Sequence, residues 1–192
     1  MLDQNPRNCP YAYSTINKSF DSRLKDDLDA ILSRHRLGGW GTVLELMAGC
    51  GRNMELLGRH FSEVEMLERN NSMAAAIGRL SRRPGIIHQQ DVRNFDWAER
   101  VERFDCIVGI WCLGYLSTQE IKHLLHGVRM ALKPDGCIIF FESVLSASES
   151  TARLHAVEAQ QNMVRASSYY VELFELAGLK VSESQSHNAW ED

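Results

Sequence analysis

Apolar positions along this chain follow two rhythms. Phe20, Leu24, Leu28, Ile31 and Leu32 recur three or four apart, which predicts a helix that stops at the glycines of "RLGGWG". "TVLEL" (42–46) is a short run rich in β-formers and predicts a strand. "NMELLGRHF" returns to the helical spacing, "EVEMLERN" (63–70) predicts a second strand, and "SMAAAIGRLSRR" a helix capped by Asn71 or Ser72. "GIIHQQD" (85–91) and "FDCIVGIW" (104–111) predict strands three and four. Ser117 with Glu120 three residues on is a capping box, and Leu124, Leu125, Val128 and Leu132 give the helix behind it an apolar side. After the turn "KPDG", "CIIFFESV" (137–144) predicts strand five. Residues 150–165 read as helical. "SSYYVELFELAGL" predicts a last helix, capped by Ser167 or Ser168 and closed by Gly178, and "KVSESQS" a final strand.

Strands alternating with helices imply an α/β fold, a mostly parallel sheet with helices on both faces. The expected organisation is one domain over 19–192 behind an arm or lid over 1–18, which is polar and holds Pro6 and Pro10. A chain of 192 residues, 44% apolar, can bury a core of that kind. Its net charge of −4 argues against holding bare nucleic acid through phosphates, and "RLSRRP" (79–84) reads as a solvated helix end. No apolar run is long enough to span a bilayer, and "MLDQNPRNCP" lacks an apolar signal core. Cys9, Cys50, Cys106, Cys112 and Cys137 are scattered, odd in number and without a CxxC. Free thiols in a reducing compartment, cytoplasmic or nuclear, are the expectation, with no metal site.

In such sheets ligands bind at the carboxyl ends of the strands, where strand order reverses. The turn "ELMAGCGRN" after the first strand has Gly49 and Gly51, which permit a sharp turn and close approach of a ligand. It lacks the third glycine of a dinucleotide fingerprint and the Lys-Ser/Thr of a P-loop. An ordinary βα turn would also use these glycines. Glu45, Glu68 and Asp91, however, fall at the ends of three successive predicted strands. Carboxylates there can accept from ribose hydroxyls and from the amino group of a base.

The segments "VLELMAGCGRN", "VEMLERN", "HQQDVRNFDW", "FDCIVGIWCLGYLS" and "LKPDGCIIFFES" resemble the class I S-adenosylmethionine-dependent methyltransferases. The likeness spans about residues 20–181, and within that superfamily it is most similar to the protein N-terminal α-amine methyltransferases. The resemblance implies a Rossmann-like three-layer sandwich with S-adenosylmethionine as cofactor. It implies that Gly49 and Gly51 lie against the methionine part and that Arg52 pairs with its carboxylate. Glu68 would hold the ribose, and Asp91 or its neighbours Val92 and Arg93 would meet the adenine. Trp111 matches a family tryptophan that lines the amine entry, where an indole can hold a cation.

The chain also departs from the family. Met47 stands where the first glycine of the turn is expected. Glu142 keeps an acidic position after strand five, while Ser143 replaces an Asn. The family's catalytic Asp positions fall near Val157 and Gln160, with His155, Glu158 and Glu149 as candidate substitutes beside a reading as exposed helix residues. Little sequence follows "KVSESQS", so the terminal hairpin is expected to be incomplete and the sheet edge to be covered by a partner chain. Three functions are therefore open. They are methylation of a protein α-amine or related amine, with Tyr11, Tyr13 and Tyr115 also near the pocket; a catalytically inactive binding subunit; and a small-molecule methyltransferase.

Overall fold

β1 (Thr42–Leu46) is the centre of the molecule because both of its faces are covered. It pairs in parallel with β2 (Glu63–Leu67) on one side and β4 (Phe104–Ile110) on the other. β3 (Ile86–His88) extends the sheet beyond β2, and β5 (Leu132–Phe141) extends it beyond β4, giving the order β3-β2-β1-β4-β5. In this computed structural model, residues 18–35, 41–80, 85–145 and 164–185 are described. The predicted arm, most of the predicted 150–165 helix, Cys9, Tyr11, Tyr13, Glu149, His155, Val157, Glu158 and Gln160 lie outside them.

The two-residue period of the strands sorts the core into two layers. Val43, Met66, Cys106 and Val108 face α1 (Lys18–Arg34) and α2 (Met54–His60), with Ile77 of α3 (Asn71–Leu80). Leu44, Leu46, Leu67 and Ile107 face α4 (Thr118–Ala131) and α5 (Ser167–Leu176). Leu28, Leu32, Leu44, Phe104 and Leu125 are fully buried, each worth roughly 1.5–3 kcal/mol over an exposed position. The capping box of α4 forms: Glu120 N donates to Ser117 Oγ at 3.3 Å, and Ser117 N to Glu120 Oε2 at 2.7 Å.

Several boundaries differ from those the pattern predicts. β2 ends at Leu67 and β3 at His88, not at 70 and 91. Gln90 N turns back onto the His88 carbonyl, and Asp91 caps a short 3₁₀ turn, Val92–Asn94, so neither residue can continue the ladder. Asn70, rather than Asn71 or Ser72, caps α3, its Oδ1 taking the amides of Ser72 (3.0 Å) and Met73 (3.2 Å). Ala166 precedes α5 without any side-chain cap, so Ser167 and Ser168 do not serve. β5 runs from Leu132 to Phe141 rather than over 137–144, and the "KPDG" predicted as a turn lies within it: β4 and β5 pair at Phe104–Leu132, shift register there, and resume from Cys106–Cys137 to Ile110–Phe141. Residues 181–185 of the predicted last strand form no ladder. Instead Glu183 reaches Arg34 at the end of α1, 3.0 Å away.

Candidate functional site

Strand order reverses between β1 and β4: the chain leaves β1 toward β2 and later returns on the other side. The crevice beyond those two strands is therefore the place for a ligand. Two stretches meet there, the 47–53 turn after β1 and the 111–116 turn after β4.

The first turn is built on left-handed residues. Met47 has φ 50°, Gly49 58° and Gly51 76°. A Cβ at Gly51 would stand 3.0 Å from Ile77, so glycine there serves packing as well as conformation. A Cβ at Gly49 would meet nothing within 4 Å; that side of the turn opens outward. Met47 takes the left-handed conformation without being glycine, which costs roughly 1–2 kcal/mol. Its side chain packs partly against the core below Leu67 and forms one wall of a cleft.

Glu68 lines the same cleft. Its Oε2 accepts from Gly49 N at 2.8 Å and its Oε1 from Asn70 N at 2.7 Å. One carboxylate thus ties the glycine turn to the end of β2, and each oxygen has lone-pair capacity beyond one amide. The cleft is lined by Met47, Leu67, Glu68, Arg69, Gln90, Asp91, Val92 and Arg93. Asp91 is ion-paired with Arg93 (3.1 Å) and Arg69 (3.3 Å), and it accepts from Arg93 N at 3.0 Å. Partial burial works to raise the Asp91 carboxyl, but the amide and the guanidinium charges outweigh it and hold the group below its ordinary value. Arg93 also donates to Glu120 Oε1 (2.6 Å) and to the Tyr115 carbonyl (3.0 Å), locking this loop to α4. Val92 is buried in the core, so what it offers the cleft is a backbone and a small apolar edge.

The second turn begins at Trp111, also left-handed at φ 54°. Its amide donates to the Phe141 carbonyl at 2.8 Å, and the Arg52 guanidinium lies over its ring, 4.7 Å from the centroid. That contact joins the two turns across the crevice. Glu142 sits behind, its Oε1 accepting from Cys112 N (2.8 Å) and Leu113 N (2.7 Å). Burial pushes the Glu142 carboxyl up to about 7, against the pull of those amides. Ser143 is exposed and makes no described contact with this turn.

Glu45 does not converge with Glu68 and Asp91. It is the penultimate residue of β1, alternates onto the α1–α2 face, and is 2% exposed. Asn53 Nδ2 donates to its Oε1 at 2.6 Å, while Glu45 Oε2 and Asn53 Oδ1 lack a hydrogen-bond partner among the described residues. Burial pushes this carboxyl up to about 7, with Asn53, Arg52 and Lys25 opposing. The pattern did not reveal Asn53 as its partner, nor Arg93 as the tie to α4, nor the buried Arg165. Only Asn53 carried a local signal, a polar residue at the entrance of a helix. Among the described residues no cluster of His, Cys, Asp and Glu could hold a metal ion, and no helix is long and apolar enough to cross a membrane.

A family model described as AdoMet-dependent proline di-methyltransferase matches residues 22–191. No curated protein sequence matches the chain. Among solved structures, a SAM-dependent methyltransferase from Leishmania major is similar with a TM-score of 0.70 and 20% identity, over 90% of this chain and 71% of that one. A candidate sarcosine dimethylglycine methyltransferase from Galdieria sulphuraria has a TM-score of 0.73 at 14% identity, over 89% and 68%. A candidate methyltransferase complexed with the Trm112 activator of Haloferax volcanii has 0.65 at 18%, over 92% and 80%. At these identities the structures establish the shared α/β methyltransferase architecture.

Proposed function

We propose, for a chain that belongs to the AdoMet-dependent proline di-methyltransferase family, that its methyl acceptor is the α-amino group of a protein or peptide. The observation that carries this reading is Trp111, held left-handed at the switch point with Arg52 over its ring. S-adenosylmethionine, when bound, supplies the electrophilic methyl group. The residues present fit it: Gly49 opens outward where a Cβ would otherwise intrude, and Glu68 lines the cleft with acceptor capacity for ribose hydroxyls. The cleft floor from Gln90 to Arg93 would receive the base, and Arg52 the carboxylate. Asp91 is committed to Arg93 and Arg69, so in this reading it shapes the cleft more than it pairs with a base.

An amine must lose its proton before it can attack. Glu142, beside the turn that follows Trp111 and with a carboxyl near 7, is the group we assign to that proton. The indole wall would hold the amine as a cation until then. In this reading the protein is intracellular. β5 carries no further strand on its outer side among the described residues, and a partner chain adding one is part of the proposal. Elution as a monomer at high micromolar concentration, with no partner recovered, would count against that partner.

The acceptor is tested with peptide libraries offered to the protein with labelled S-adenosylmethionine. Free N-termini should be methylated and N-acetylated copies of the same peptides should not. Equal labelling of both, or labelling of small amines alone, would transfer the function to another acceptor class. Cofactor binding without any transfer would favour a non-catalytic binding subunit.

A further inference from the structure

A tryptophan at positive φ keeps that conformation only when its surroundings over-determine it. The turn after Trp111 is held from two sides. Glu142 takes its amides, those of Cys112 and Leu113. Arg165 takes its carbonyls: Nη1 donates to Leu113 O at 3.2 Å and Nη2 to Leu116 O at 2.7 Å. One carboxylate and one guanidinium therefore grip opposite edges of the same short 3₁₀ segment, Leu113–Tyr115.

Arg165 is only 6% exposed and sits among apolar residues: Cys112, Leu113, Leu116, Tyr170 and Leu173 are all buried in that layer. Its backbone is itself fixed beyond the end of β5, where Val144 bridges to it and Leu145 N donates to its carbonyl at 3.1 Å. Its guanidinium lies 5.8 Å from the Tyr169 ring and 6.0 Å from that of Tyr170. Burying an arginine carries a desolvation cost of several kcal/mol that an apolar residue would avoid. Charge-assisted bonds to two carbonyls and the two aromatic faces offset that cost. Packing alone does not call for a guanidinium here. A fork that reaches two carbonyls three residues apart does.

We propose that Arg165 is a positioning residue for the acceptor site: it fixes the 113–116 turn, so that Trp111 keeps its orientation toward Arg52 and the glycine turn. The inference rests on the reading of Trp111 as the acceptor wall, and it concerns geometry that can be measured without turnover. Lysine at 165 would keep the charge but lose the two-pronged reach. Methionine would keep much of the volume and lose both bonds.

The test compares wild type, Arg165→Lys and Arg165→Met by amide hydrogen exchange, by the indole N–H resonance of Trp111 (assigned with Trp111→Phe), and by calorimetry with S-adenosylmethionine. In both variants the amides of Cys112, Leu113 and Leu116 should exchange at least about tenfold faster and the Trp111 resonance should move. Amides of β1 and of residues 107–109 should stay as protected as in wild type. Cofactor affinity should stay within about twofold, while the KM for an acceptor peptide with a free N-terminus rises about tenfold with a smaller change in kcat. A folded Arg165→Lys with wild-type exchange and an unmoved Trp111 resonance would overturn the proposal. So would protection lost evenly across the sheet, or failure of both variants to fold, because either makes Arg165 a plain support of the core. A wild type that methylates no peptide would refute the acceptor assignment and leave the exchange comparison standing as a separate result.

Discussion

Replacing Glu45 by glutamine should stabilise the protein progressively more, relative to wild type, as pH rises. Glu45 is 2% exposed, and its carboxyl is raised by burial from an ordinary 4.5 to about 7. A group whose folded value is raised adds stability below its unfolded value and loses it as pH climbs through the folded one. For this carboxyl the loss runs from 4.5 to about 7. Integrated between pH 5 and pH 8, it comes to about 2.5 kcal/mol. A glutamine side chain there carries no charge to desolvate. Its oxygen can still accept from Asn53 Nδ2, and its NH₂ stands where Glu45 Oε2 lacks a partner. Urea unfolding at pH 5, 6, 7 and 8 measures both proteins. The half-buried Glu142, which titrates in the same range, is present in each and cancels. The stability difference in favour of the variant should widen by about 2.5 kcal/mol across the range. Parallel curves would mean that Glu45 stays ionised in the folded state, and the account of its burial would fail.

Three further outcomes follow from the site. Met47→Gly should be more stable than Met47→Ala by about 1 kcal/mol in denaturant unfolding, the reverse of the ordinary order, because only glycine is relaxed at φ 50°. Gly49→Ala should lose about 1 kcal/mol to the same strain and at least about tenfold in cofactor affinity by calorimetry, since its methyl would enter the open side of the turn. For Glu142→Gln, peptide methylation should fall by about 100-fold or more, and the rise of kcat/KM through about pH 7 expected of wild type should be absent.

Much of the fold was legible because each strand carries β-forming residues and each helix a spaced apolar side. Ser117 and Glu120 marked the start of α4 correctly, since a capping box is a wholly local device. Strand ends were less legible. Whether Glu68 or Asp91 continues a ladder depends on turns such as Gln90 onto His88, which no short-range pattern specifies. Gly49 and Glu68 were singled out from residue type at strand ends, Arg52 and Trp111 through the family resemblance; in the structure Glu68 meets Gly49 and Arg52 meets Trp111 around one crevice. Glu45 went the other way because a single residue of register decides its face: ending one position before the strand's last, it points into the α1–α2 layer. Arg165 could not be anticipated, since its partners are carbonyls about fifty residues distant, and backbone atoms leave no trace in composition.

In the proposed reading S-adenosylmethionine lies in the crevice lined by the 47–53 turn and Glu68. Calorimetric titration of wild type and Glu68→Gln is the direct test, because Gln keeps one acceptor, for Gly49 N, while losing the charge and the second acceptor that Asn70 N uses. Wild type should bind with micromolar affinity, weakened at least about tenfold in the variant. Absence of binding at millimolar cofactor, or equal affinity in the two proteins, would contradict it.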